Sequence, residues 1–180
     1  MRFRTGSGPA LAAVFSLIIG ACAGQEGGGT TPTERPAPTE ASAVIVAMPT
    51  GAPASVEEDG PRIQFRDLTL AGTITVTTEE AERSGEISFA EEEDITFGEA
   101  GPEIVHIWGT TTATLDGVSC EGPFALSAFP AAGEGGGALV LACDDGLLFA
   151  GDLQDTEVKM GEDGLLEELT RESSGWLVAP

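Results

Sequence analysis

Apolar and polar side chains alternate along much of this chain. In residues 68–77, leucine, isoleucine and valine stand at even positions and threonine at most of the odd ones. This period of two is typical of β-strands with one buried face. Short apolar runs separated by glycine, aspartate and proline continue to the C terminus. The sequence therefore predicts an all-β fold, a small antiparallel barrel or a two-sheet sandwich of about eight or nine strands. Closure removes exposed strand edges, which favours the barrel.

Two turn signals predict the register of the second half. Asp116-Gly117 is a strong two-residue hairpin signal, and Asp144-Asp145-Gly146 suits a three-residue hairpin loop with its glycine in the left-handed conformation. Both turns place apolar side chains on one face of a continuous meander, and a one-residue slip would turn them all outward. The predicted inward residues are Val105, Ile107, Ala113, Cys120, Phe124, Leu126, Leu139, Leu141, Cys143, Leu147, Phe149 and Leu153.

The first 22 residues have the features of an export signal. Arginines at positions 2 and 4 precede the apolar run Leu11–Ile19, which is shorter than the about 20 residues that a membrane-spanning helix needs. The run ends in Ile-Gly-Ala-Cys, which resembles the lipobox of bacterial lipoproteins, with Ile19 where that family usually has leucine. The resemblance implies removal of residues 1–21 and a diacylglycerol on the thiol of Cys22. If the organism has two membranes, alanine at position 23, directly after the cysteine, resembles the sorting signal of lipoproteins that go to the outer membrane.

Cys120 and Cys143 are predicted to form a disulfide. The sequence has three cysteines, and lipidation of Cys22 leaves these two in an oxidising compartment. A metal site built on two thiolates would need more ligands, and His106 is the one histidine of the sequence. If the two cysteines lie directly opposite one another on neighbouring strands, Phe124 pairs with Leu139 and Leu126 pairs with Gly137. The turn between the two strands then falls in residues 130–136.

Residues 22–60 are predicted to be the lipidated cysteine followed by a flexible tether. Three glycines (residues 27–29) and a Thr/Pro/Glu-rich stretch extend the chain without building a core. The apolar run at residues 43–48 interrupts this composition, and we expect it to dock on the domain as an edge strand, because its exposure to water is costly. The all-β domain is then expected in residues 61–180.

The charge of the mature chain limits its partners. After Cys22 the sequence has 30 acidic residues and six basic ones, a net charge of about −24. Such a surface repels nucleic acid and anionic headgroups, so no nucleic-acid partner is expected. The expected partners are the lipid bilayer through acylated Cys22 and, beyond it, divalent cations or an envelope protein.

The sequence has few of the motifs that carry chemistry. A Ser/His/Asp site would require His106, and no serine lies in a Gly-x-Ser-x-Gly elbow. Phosphate-binding loops, haem attachment motifs and dinucleotide motifs are absent from the sequence, so no cofactor, no metal and no catalytic residue is predicted. Calcium prefers carboxylate oxygens, and the acids weighed for such a site are Glu91, Glu92, Glu93, Asp94, Asp144, Asp145, Asp152 and Asp155.

One surface could bind a partner. The register turns His106 and Trp108 away from the core, with Ser127 across from His106, and exposed aromatic residues often mark a contact surface. A second sheet, expected over this face, would make the same residues core. The sequence thus predicts a membrane-anchored extracytoplasmic lipoprotein whose acidic β domain binds a partner or shapes the envelope. The alternatives are a hollow barrel that carries an apolar ligand and an enzyme that uses His106.

Overall fold

The computed structural model describes residues 36–161 and 166–180. The predicted signal peptide, Cys22 and the first part of the tether lie outside the described residues. Within them the chain forms nine β-strands and no helix, so no helix there is long and apolar enough to cross a membrane. The strands are β1 Thr39–Pro49, β2 Ser55–Asp59, β3 Arg62–Thr78, β4 Glu82–Gly98, β5 Gly101–Leu115, β6 Val118–Phe129, β7 Glu134–Cys143, β8 Leu148–Met160 and β9 Leu166–Val178.

The strands form one closed antiparallel barrel, which confirms the all-β prediction and decides between barrel and sandwich. Strands β3 to β9 follow one another as a meander, and β1 pairs with both β3 and β9 to close the sheet. The long strand β3 has two partners in succession. Its residues 62–66 pair with β2, and its residues 70–78 pair with β1, with Asp67 at positive φ in the bulge between them. The barrel therefore has eight strands, with β2 as a ninth beside it.

The barrel begins earlier in the chain than the sequence predicted. Residues 43–48 belong to β1, which is a closing strand and not an edge strand. Ala43, Ile45 and Ala47 face the interior and are fully buried, and the backbone of β1 pairs on both sides. Strand β2 also falls within the predicted tether. Small inward side chains and backbone pairing outweigh the loop-like composition around β1, so β1 is part of the barrel, and β2 pairs with β3 beside it rather than forming a tether.

The predicted register of the second half is confirmed. Leu115 pairs with Val118 around Asp116 and Gly117, which both have positive φ, as a type I′ turn requires. Gly146 is left-handed, and Cys143 N donates to Leu147 O over 2.8 Å. All twelve predicted inward residues face the interior, eleven of them as core and Val105 packed against it.

The predicted disulfide is present. Cys120 and Cys143 are directly opposed on β6 and β7, with Cα atoms 3.9 Å apart, and their sulfurs are bonded. Phe124 faces Leu139 and Leu126 faces Gly137, as the register requires. The bond lies near one end of the barrel, which we call the disulfide end. The other end holds the turns that follow β4 and β6.

Side chains fill the interior of the barrel. Phe89, Phe149, Leu139 and Leu153 are each 0% exposed, and the Phe89 and Phe124 rings pack edge to face with centroids 5.0 Å apart. These large side chains therefore occupy the middle of the barrel interior.

Candidate functional site

His106 and Ser127 are neighbours on the outer face, as the sequence predicted. They are opposed on β5 and β6, and a hydrogen bond of 2.8 Å joins His106 Nδ1 to Ser127 Oγ. The imidazole is exposed on the strand surface. The second sheet expected over this face is not found among the described residues, because the single sheet closes on itself and its outer face stays on the surface.

Asp94 completes a row of three functional groups across three strands. It lies opposite His106 in the register of β4 and β5. Its carboxylate nevertheless accepts a hydrogen bond from Arg62 and lies 3.5 Å from Arg66 Nη2. In a Ser-His-Asp relay the carboxylate orients the imidazole and the serine meets its other nitrogen. Here the serine is hydrogen-bonded to Nδ1, and the carboxylate pairs with the two arginines. The three groups therefore resemble a polar network on the outer face more than a catalytic relay.

Trp108 forms the centre of a charged cluster beside this row. It is directly opposed to Glu92 on β4. The Arg66 guanidinium lies 5.6 Å from the Trp108 ring centroid and donates to Glu92 Oε2 over 2.6 Å. A cation above an indole and beside a carboxylate gains from both contacts. His106 and half-buried Trp108 thus lie on the outer face, where an arginine of this chain covers part of the indole, and a binding role for them stays a prediction.

The interior holds an ionic cluster that the sequence interpretation missed. Arg171 on β9 is 1% exposed. Its Nε donates to Asp155 Oδ1 over 2.9 Å and its Nη1 donates to Glu91 Oε2 over 3.0 Å. The guanidinium also lies 4.9 Å and 5.3 Å from the ring centroids of Phe89 and Phe124. One cation thus joins β4, β8 and β9 across the barrel.

A signal for this cluster exists in the alternation itself. The inward series Ile87 and Phe89 continues to Glu91, and the inward Leu153 is followed two residues later by Asp155. Glu91 is one of the acids weighed above for a calcium site, but it is 3% exposed and pairs with Arg171 instead. Strand periodicity carries an acid inward whenever a partner can compensate its charge.

The other acids weighed for calcium do not gather at one place. Asp145 receives the backbone N–H of Leu147 over 3.0 Å, and Asp152 receives that of Ser174 over 2.6 Å. Within the described residues, no three histidine, cysteine or carboxylate side chains form a metal-binding group. The acidic side chains there serve turns, ion pairs and the solvated surface.

Burial changes the protonation of the cluster. Burial raises the pKa of Glu91 and of Asp155, and the charge of Arg171 opposes this rise in both. Burial, with the negative charge of Glu91, raises the pKa of Glu93 to about 7. Burial lowers the pKa of Arg171, but Glu91 and Asp155 raise it more, so the guanidinium stays charged.

We expect the barrel to lose stability as the pH rises from 4.5 to about 7, because over this range the unfolded chain has released the Glu93 proton and the folded chain still holds it. The folded state holds this proton up to pH about 7, while the unfolded chain releases it near the ordinary value of 4.5. The free energy of unfolding therefore falls as the pH rises above 4.5, and the decrease is complete just above pH 7. Glu93→Gln removes that loss and should be about 2 kcal/mol more stable than wild type at pH 8, but nearly equal to it at about pH 4.5.

Urea unfolding of both proteins between about pH 4.5 and pH 8.5 measures this difference. The matched control is Glu92→Gln, which removes the neighbouring charge from the outer face. Parallel stability profiles of wild type and Glu93→Gln would contradict the assignment.

A groove at the disulfide end contains the other tryptophan. It is open to solvent, has a volume of about 730 Å³ and lies where β1, β3 and β9 meet. Trp176 is 48% exposed on its wall and is directly opposed to Glu40 of β1. The rest of the lining is largely hydroxyl and carboxylate groups, from Thr39, Ser42, Thr77, Thr78, Glu79 and Ser174. No local sequence signal indicates this groove, because Glu40 and Trp176 come together only when β1 closes the barrel.

Comparison with known proteins leaves the function to be argued from the chain itself. No family model, curated protein or solved structure matches this chain.

Proposed function

We propose that this protein is a lipid-anchored, extracytoplasmic lipoprotein whose acidic barrel binds an envelope partner through its outer surface. The observation that carries the binding role is the filled interior. Phe89, Phe149 and the Arg171 cluster occupy the inside of the barrel, where a carried ligand would have to lie. A hollow-barrel carrier would need these groups to move apart and would leave Glu91 and Asp155 without their cation, which is costly.

The outer surface has the features that a partner recognises. It presents two tryptophans opposed to glutamates, and the acidic excess steers cationic partners toward it. An enzyme that uses His106 is the weaker alternative, because the imidazole lies on an exposed strand and Asp94 is engaged by arginines. The anchoring part of the proposal is supported by the lipobox-like residues 19–22.

The anchor makes a direct prediction about location. In a bacterial host the wild-type chain should sediment with membranes and enter the detergent phase on extraction, because an acyl anchor supplies about 0.8 kcal/mol per buried CH₂. Cys22→Ala should remain an uncleaved precursor or leave the membrane fraction. The double variant Cys120→Ala/Cys143→Ala, which keeps Cys22, is the matched control and should stay membrane-bound. Soluble wild-type protein that is cut elsewhere would contradict the anchor.

A further inference from the structure

The outer face carries the same cross-strand pair of side chains twice. Trp108 on β5 is directly opposed to Glu92 on β4, and Trp176 on β9 is directly opposed to Glu40 on β1. In the first pair, Arg66 lies above the indole and donates to the carboxylate over 2.6 Å. The structure thus contains one example of a cross-strand tryptophan–glutamate pair that binds a guanidinium group.

The second pair has no such cation within the described part of the chain. None of the guanidinium or ammonium groups there lies over the Trp176 ring, and no arginine or lysine lines the groove. The indole is 48% exposed, and Glu79 adds a second carboxylate to the lining.

We propose that this groove binds an arginine side chain of a basic segment in a protein partner, with the guanidinium above Trp176 and paired with Glu40. The inference rests on the proposed surface-binding function and specifies the chemistry of its partner. A guanidinium suits the site better than an ammonium, because its plane stacks on the indole while its fork donates to the carboxylate.

The remaining lining fits the flanking backbone of such a segment. Ser42, Thr77 and Ser174 present hydroxyl groups that can donate to and accept from peptide groups. The net charge of about −24 after Cys22 raises the rate at which a basic segment arrives.

The fluorescence of the protein gives a selective test. The sequence has two tryptophans and no tyrosine, so Trp108→Phe leaves Trp176 as the one indole reporter. The probe is an acetylated and amidated peptide of alternating glycine and arginine, added to the purified full chain in neutral detergent. The control peptide carries citrulline at each arginine position. We expect a saturable change in Trp176 emission with the arginine peptide and none with the citrulline peptide.

Matched variants separate this site from general attraction to an acidic surface. In the Trp108→Phe chain, Glu40→Gln should weaken binding about fivefold, as expected for the loss of one exposed ion pair. Glu92→Gln removes the same charge from the pair that Arg66 already covers and should change binding less than twofold. Equal losses in the two variants, or no saturation, would overturn the proposal.

Removal of Arg66 supplies the complementary test. In a Trp176→Phe chain the remaining Trp108 should not respond to the peptide, whereas Trp176→Phe/Arg66→Gln should respond, because the first pair is then uncovered. If the uncovered Trp108–Glu92 pair does not respond, the inference that such a pair binds a guanidinium is contradicted.

Arg35, four residues before Thr39, is the candidate from this chain itself that could compete for the groove. If the peptide binds only after Arg35→Gln, the groove accepts its own chain and the proposal fails.

These titrations do not depend on where the protein resides. A wild-type chain that is soluble and binds the peptide would contradict the anchor and support the groove, whereas a membrane-anchored wild-type chain that does not bind the peptide would contradict the groove and support the anchor.

Discussion

Replacement of Arg171 with methionine should destabilise the barrel by about 3–5 kcal/mol at pH 8, because buried Glu91 and half-buried Asp155 lose their cation. Arg171 is 1% exposed, and it is the group that Glu91 and Asp155 share. The loss is a large share of the stability of a small domain, which is about 5–15 kcal/mol. It should shrink toward pH 5, because burial raises the pKa of both acids and they then take up protons without Arg171.

Chemical unfolding at pH 5 and pH 8 measures both effects. Arg83→Met is the matched control, since Arg83 pairs with Asp145 at 3.4 Å with both side chains about one-third exposed, and such a pair contributes at most about 1 kcal/mol. The triple variant Arg171→Met/Glu91→Leu/Asp155→Leu should recover most of the loss, because it removes both carboxylates together with their cation. Equal losses in Arg171→Met and Arg83→Met would show that the interior cation is dispensable.

Loss of the Cys120–Cys143 disulfide should lower the free energy of unfolding by about 3 kcal/mol. The bond closes a loop with a sequence separation of 23, and most of its effect comes from restriction of the unfolded chain. The Cys120→Ala/Cys143→Ala variant should keep the barrel, since β6 and β7 remain paired through their backbones. Urea unfolding measures the loss of stability, and far-ultraviolet circular dichroism shows whether the β-structure is kept.

Reduction of the wild-type protein supplies the control for this prediction. A reductant should bring its stability to that of the double variant and leave the double variant unchanged. Two thiols in the unfolded, unreduced domain that react at once with a thiol reagent would show that the bond is not formed.

The second half of the barrel could be predicted from the sequence because its signals are local. Asp116-Gly117 and the loop at residues 144–146 specify turns that need positive φ, and the two cysteines select the same register independently. Side-chain alternation then decides which residues face inward. The pairing of His106 with Ser127 follows from the first turn, and its prediction was correct.

What could not be predicted depends on closure. Strand β1 lies in a segment rich in proline, glycine and threonine, and only its pairing with both β3 and β9 makes it part of the core. Arg171 occupies an inward position that the hydrophobic pattern assigns to an apolar residue, and its partners lie 80 and 16 residues away. The Glu40–Trp176 pair likewise joins the two ends of the domain. Contacts of such long separation are set by topology and not by local propensity.

Display of the barrel at a membrane surface is the central part of the proposed function, and the mature N terminus tests it most directly. Mass spectrometry of the N-terminal peptide from membrane-extracted protein should show a chain that begins at Cys22 and carries a diacylglycerol on its thiol. An N-terminal peptide that begins at another residue, or that holds an unmodified Cys22, would contradict the account.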